Sequence, residues 1–304
     1  MTEMSELIWG PLLAGYLFLG GLSGGAYVVG ALADLLNKEK YSVLSKSAIL
    51  ASFVSIIMGL VLLVLDLERF KEAPLIILNA FVKFPDSIMS VGTWIITVFT
   101  LISLVTVLLW YFNGNVLVRK IVEVIGMVLG LATASYTGIL LSFAKRVPFW
   151  QSGFLPVLFV LSGLLTGLAI AVLFIPIAAG FMPKAFGDFK SMWNTTPEFA
   201  GMIEYTDKFA RALLILETVI MLLYFSSRSS GSLIWGGSGI SLYFYAYILS
   251  ALLIPLGIAL YNLKLPKTNG HKTMIYLTLL STVLALVGGF LLRYVVLIGG
   301  QIII

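Results

Sequence analysis

The sequence predicts an all-helical chain that crosses a membrane several times, and three observations predict it. Of its 304 residues, 60% are hydrophobic and only 11% are charged, against roughly 25% charged in soluble domains. The mean hydropathy is +1.06. The apolar stretches are long and unbroken, close to the ~20 residues that carry a helix across a bilayer core about 30 Å thick. Lipid satisfies no backbone amide, so a span must be a helix or part of a closed barrel. Barrel strands would show as alternating runs of about 10 residues, and the pattern here is not of that kind.

Taken in order, hydropathy predicts about eight spans, at 11–36, 47–67, 90–112, 121–143, 155–181, 209–225, 241–263 and 273–298. Residues 182–208, with Pro183, Pro197 and scattered charges, read as a surface loop with one short helix. Residues 1–9 carry Glu3 and Glu6 and no basic residue, unlike a cleavable signal peptide. With the N-terminus outside, twelve of the nineteen Lys and Arg fall on the inner side and seven on the outer. The positive-inside rule therefore predicts a cell-membrane protein with both termini outside. The net charge of +5 belongs to this loop bias. No basic cluster is interleaved with aromatics, so no nucleic-acid partner is expected.

The chain has no cysteine and one histidine, His271. It is therefore expected to carry no disulfide, no iron–sulfur cluster, no haem held by paired histidines, and no metal site. The glycine-rich stretch at 235–239 lacks the strand–turn–helix setting of a dinucleotide site. Two small-residue stripes, GGLSGGA at 20–26 and GLLTGLA at 163–169, favour close helix approach. They fit either a duplicated four-helix unit or two unrelated packing surfaces.

Polar groups inside spans are costly and therefore functional suspects. Asp66 closes the second span, Glu217 lies near the middle of the sixth, and Arg293 lies late in the eighth. Tyr136 sits in the last third of the fourth span, with Lys145 and Arg146 after it. Each even span runs from inside to outside, so Asp66, Tyr136 and Arg293 gather toward the outer face, level with the stripe that holds Ser23 and Gly24. Each also has a structural reading. Asp66 and Arg69 suit an interface, Arg293 suits snorkelling or a bridge to Asp66 or Glu217, and Tyr136 suits packing. A mid-span carboxylate such as Glu217 also suits a secondary transporter or ion-translocating protein.

Five segments carry a resemblance. They are GGLSGGAYVVGAL at 20–32, LDLERF at 65–70, DSIMSVGTW at 86–94, YTGILLSFAKRVPFWQSGFLPVLFVLSGLLTGLA at 136–169 and LRYVVLIGGQ at 292–301. In this order the chain resembles the NrfD-type integral membrane subunits of polysulfide reductases, with Ile88 where the family usually has proline. The resemblance implies eight helices in two four-helix bundles, here 1–150 and 151–304. It implies a quinone-reactive subunit that binds quinone or quinol, of the menaquinone kind. It implies, too, that electrons are exchanged with a ferredoxin-like iron–sulfur subunit that serves a molybdopterin catalytic subunit. Tyr136 matches the tyrosine associated with quinone binding and Asp66 matches the acidic residue closing span two. Some members place a polar quinone ligand, often histidine, early in span one, where this chain has Tyr16. Tyr16 and Tyr136, with Ser23 and Gly24 of the small-residue stripe, are the expected quinone contacts, and on the physical reading of the spans Asp66 or Glu217 is the expected proton acceptor, tuned by Arg293.

Overall fold

The computed structural model describes residues 9–66, 81–144, 147–181, 197–226, 239–264 and 271–302, all helix and short connection with no strand among them. Eight helices in this set are long and apolar enough to cross a membrane. They are span one (Pro11–Leu36), two (Tyr41–Asp66), three (Ile88–Tyr111), four (Val116–Ser142), five (Phe154–Leu173), six (Gly201–Ser226), seven (Ile240–Asn262) and eight (Thr273–Gln301). The expected Arg69, Lys145 and Arg146 lie outside the described residues, as do 182–196 and most of the glycine-rich stretch before Gly239.

Spans one and two are continuous in helical hydrogen bonding from Pro11 to Asp66, yet they run antiparallel. A Cβ on Gly30 would meet Ala48, one on Gly59 would meet Leu19, and one on Gly15 would meet Leu62. Ser23 donates to the Ser52 carbonyl at 2.8 Å, so the chain reverses between the two spans. Span four starts at Val116, earlier than hydropathy places it, because the Asn115 side chain caps it and accepts from Leu117 N at 2.8 Å. Span six also starts early. Its helix begins at Pro197, so 197–208 is helix and not loop. Lys208 pairs with Glu204 at 3.0 Å on an exposed face, and Arg211 with Asp207 at 3.7 Å. Those i,i+4 pairs let a charged stretch remain helical. Span five stops at Leu173, and a separate short helix, Ile175–Phe181, follows.

Span seven contains a six-residue π-turn, Ile248–Leu253, directly before Pro255. Proline has no N–H to donate one turn back, and a wider turn is one way a helix absorbs that loss.

Span one and span five are the most buried. Their small-residue stripes face each other. A Cβ on Gly25 would lie 1.9 Å from the Gly163 carbonyl oxygen, one on Gly163 would lie 2.7 Å from that of Gly21, and one on Gly167 would lie 2.2 Å from Ala26 N. Backbone touches backbone along this seam. Spans one, three and four contact one another; span five contacts six and eight, and seven contacts six and eight. Spans one–five, four–five and one–eight join the two sets.

Both ends of the described residues meet at one face. Trp9 N donates to Gln301 Oε1 at 2.9 Å and Gln301 Nε2 donates to the Trp9 carbonyl at 3.0 Å. Trp9 stacks on Trp150 with centroids 5.2 Å apart, and the Trp150 indole donates to the Val296 carbonyl at 2.7 Å. This is called the Trp9 face below; the opposite one is the Asp34 face.

Candidate functional site

Near the Trp9 face, Tyr16 and Tyr136 approach each other across spans one and four. Gly20, one turn below Tyr16, would place a Cβ 3.7 Å from the Thr137 methyl, and the two phenols are close enough to interact. Tyr16 is 3% exposed and Tyr136 7%. The Tyr136 ring fills the place where a side chain on Gly92 of span three would go, because a Cβ there would fall 1.7 Å from its ring carbon Cζ. Neither phenolic hydroxyl bonds to another described residue, and neither oxygen is sealed off from accessible space as that of Ser90 is. Ser90, 1% exposed and one turn into span three, also keeps its hydroxyl unpaired. Asp66 is half-buried at the end of span two, on the same side.

Ser23 and Gly24 lie deeper and are engaged in helix packing. Ser23 bonds to Ser52, and a Cβ on Gly24 would strike the Gly130 carbonyl oxygen at 2.3 Å. They set the spacing of spans one, two and four rather than lining the space beside the phenols.

Arg293 and Glu217 are neighbours, as one of the two pairings open to Arg293 from sequence has it, but they form no direct ion pair. Both are fully buried, and each feels the other's charge. Arg293 donates to Ser162 Oγ at 2.6 Å, to the Gly289 carbonyl at 3.0 Å and to the Phe159 carbonyl at 3.1 Å. Its guanidinium also lies 5.0 Å from the Phe159 ring centroid. Gly21 of span one makes room for it: a Cβ there would lie 2.9 Å from the guanidinium. Tyr247 donates to Glu217 Oε1 at 3.4 Å, and it is the residue just before the π-turn. Spans one, five, six, seven and eight therefore converge on one buried charged group.

A second charged cluster, on the Asp34 face, was not singled out from sequence. Arg119 of span four pairs with Asp34 of span one at 3.0 Å and approaches Glu123 at 3.5 Å. The Trp110 indole donates to Glu123 at 3.2 Å and its ring stacks under the guanidinium at 3.8 Å. Arg119 falls just before the span that hydropathy places at 121–143, although the helix starts at Val116. The readable signal was a charge at Asp34 inside a span and an Arg119/Glu123 pair four residues apart.

Comparison with known proteins decides the family. The profile described as polysulphide reductase, NrfD matches residues 1–304. The chain belongs to the NrfD polysulphide reductase family. This NrfD-family chain is a multi-pass membrane protein, and its relatives are distant. Protein NrfD of Escherichia coli is 28% identical over 57% of this chain and 63% of its own length. Its homolog in Haemophilus influenzae is 25% identical over 98% and 95%. A polysulfide reductase polypeptide of Wolinella succinogenes is 27% identical over 56% and 58%. The matches to the Escherichia and Wolinella NrfD-family proteins thus span less than two thirds of those relatives.

Proposed function

We propose that this chain is the quinone-reactive membrane subunit of a multi-subunit oxidoreductase. A menaquinone-like quinol binds beside Tyr16 and Tyr136, and electrons pass to a ferredoxin-like iron–sulfur subunit on the Trp9 face, which serves a molybdopterin catalytic subunit. Spans one to four (residues 1–150) form the bundle that holds the quinol, and spans five to eight (151–304) form the second. The observation that carries this reading is the pair of buried phenols without partners in an apolar setting. A quinone head needs an apolar slot with a few hydrogen-bonding groups, and two hydroxyls near Gly92 and Gly20 supply them. Family membership supports the same reading, as does a homologue in Archaeoglobus fulgidus named as the integral membrane subunit of an Hdr-like menaquinol oxidoreductase, 26% identical over 53% of this chain.

Oxidation of a quinol releases two electrons and two protons. The phenols orient the quinol oxygens, while Asp66 at the end of span two and Glu217 beside Arg293 accept the protons. Ser23 and Gly24 act through the spacing of the helices. The same groups serve the reverse reaction.

Tyr136→Phe tests the site. It keeps the ring against Gly92 and removes the hydroxyl. The loss of one neutral hydrogen bond costs about 0.5–1.5 kcal/mol, so quinol turnover by the assembled complex is expected to fall roughly two- to tenfold. The measurement is the steady-state rate with a soluble quinol analogue, on complex whose metal clusters are verified intact. Unchanged turnover and affinity would remove Tyr136 from the site and pass the role to Asp66.

The orientation that goes with this function puts the Trp9 face outside. A cysteine placed at Ser152, in the turn between Trp150 and span five, is expected to react with an impermeant thiol reagent in intact cells. Labelling only in inverted vesicles would turn the molecule over. The iron–sulfur partner is expected to copurify with the chain and to protect that same cysteine; protection of the Asp34 face instead would move the docking surface. An ion-translocating role for Glu217 is the second reading, favoured by the π-turn that sets Tyr247 against it. Normal quinol chemistry without any quinone-linked change on Tyr136→Phe would favour that role.

A further inference from the structure

We propose that Asp34 and Glu123 share one exchangeable proton, and that this pair, held by Arg119 and Trp110, is a proton-holding station at the Asp34 end of the first four spans. The two carboxyl groups meet on one guanidinium, with Arg119 Nη2 at Asp34 Oδ2 and Nε at Glu123 Oε1. Ionised carboxylates only accept hydrogen bonds, so two in contact repel unless one carries a proton. Both are fully buried, where water does not screen the repulsion. One guanidinium faces them, with Arg119 at 3.0 Å from Asp34 and 3.5 Å from Glu123. One positive charge balances one of the two negative ones. The Lys46 ammonium of span two lies 5.1 Å from the Trp110 ring and forms no ion pair with Asp34 or Glu123, whose ion-pair partner is Arg119. From span one, the remaining titratable neighbour of Glu123 is Tyr27. Glu123 Oε2 has no hydrogen-bond partner, although Oε1 accepts from Trp110. That oxygen is where the second proton position lies.

The position of the pair suits exchange with the nearer face. Arg119 is one turn from Asn115, which is exposed. Hydroxyls continue from the pair toward the Trp9 face. Tyr27, about 10 Å along span one from Asp34, bonds Thr106 of span three at 2.6 Å. One turn further, Ser23 bonds Ser52. Tyr16 stands about 27 Å from Asp34 along the same helix. Exchange needs no redox partner: the proton leaves the carboxylic acid of one residue, which becomes a carboxylate, and reaches the carboxylate of the other, which becomes the acid; passage onward through Tyr27 requires its hydroxyl to release its own proton to Thr106 as it accepts one. The shared proton stands on its own geometry; its delivery to the quinone level rests on the function proposed above.

Infrared spectra of the intact complex decide between a shared proton and a plain salt-bridge clamp. A protonated carboxylic acid shows a C=O stretch that ionised carboxylates lack. Complex grown with carbon-13-labelled glutamate is expected to show such a band, downshifted by the label and again in heavy water. Glu123→Gln is expected to remove it, Asp34→Asn to move it, and Trp110→Phe to raise its frequency by deleting one donor. Trp110→Phe leaves the carboxyls in place, so it answers even if the carboxyl variants do not assemble. A band that survives Glu123→Gln and ignores Trp110→Phe belongs to another glutamate, such as Glu217, and overturns the proposal, as does the absence of any carboxylic band. In a second arm, the spectrum is compared with the quinone pool oxidised and reduced. A change in the Glu123 band links the station to the quinone. A band present but indifferent to the quinone keeps the shared proton and removes the link, whereas failure of Tyr136→Phe to alter turnover strikes only the quinone site.

Discussion

Arg293→Met is expected to strip most of the folded chain from the membrane, and adding Glu217→Gln is expected to restore much of it. Arg293 is fully buried and donates to Ser162, Gly289 and Phe159 from the middle of five helices. The single variant leaves Glu217, also fully buried, without its counter-charge. The two buried charges act on each other without a direct ion pair, so removing one is expected to cost up to about 3 kcal/mol, whereas replacing both with neutral groups is often close to neutral. An equilibrium shift of about 3 kcal/mol is already more than a hundredfold. The measurement is the yield and gel-filtration profile of chain extracted in mild detergent for the wild type, each single variant and the double. A double variant as depleted as Arg293→Met would show that the two charges do not act as a unit. Glu217→Gln alone is expected to be milder, because Arg293 keeps Ser162 and two carbonyls.

Gly25→Leu is expected to be more damaging still, and Gly25→Ala already harmful. The Cβ position on Gly25 lies 1.9 Å from the Gly163 carbonyl oxygen and 2.7 Å from Leu164 N. The obstacle is backbone, so no rotamer change relieves it, and the two helices must part. Parting them also opens the Gly167–Ala26 and Gly163–Gly21 contacts and the pocket Gly21 leaves for Arg293. Membrane helices associate through such close packing because lipid offers no hydrophobic drive between them. Gly180→Ala is the control, since nothing lies within 4 Å of its Cβ position. Thermal melting in detergent is expected to fall steeply for both Gly25 variants and to stay unchanged for Gly180→Ala. Equal melting would mean the seam does not hold the molecule together.

Much of this fold was legible because hydropathy marks spans directly. The first span is placed at 11–36 by sequence and runs Pro11–Leu36 in the structure. The sixth begins late in the hydropathy reading because Glu204, Asp207 and Lys208 look like loop, and only the i,i+4 pairs Glu204–Lys208 and Asp207–Arg211 show why they stay helical. The π-turn was missed because hydropathy does not register hydrogen-bond spacing, although Pro255 was its mark. The two glycine stripes read equally well as repeats or as packing surfaces. A single sequence does not say which helix faces which, and here they face each other. At the site, Glu217 and Arg293 were visible as isolated charges, while Ser162 and Tyr247, which complete their surroundings, look like ordinary span residues. Asp34, Glu123 and Arg119 were equally visible but were divided between loop and span by a boundary drawn five residues late.

The clasp between Trp9 and Gln301 joins residues 292 apart, and this bears on the order in which the protein is made. Ribosomes deliver the N-terminal spans first, so Trp9 waits for the last helix before its backbone N–H and carbonyl are satisfied. The Trp150 indole waits too, because its acceptor is Val296 of the same last helix. A polypeptide stalled before span eight therefore holds unmet polar groups at one membrane face, and the Arg293 site would lack its guanidinium altogether. Such unfinished molecules differ from complete ones by a local chemical mark.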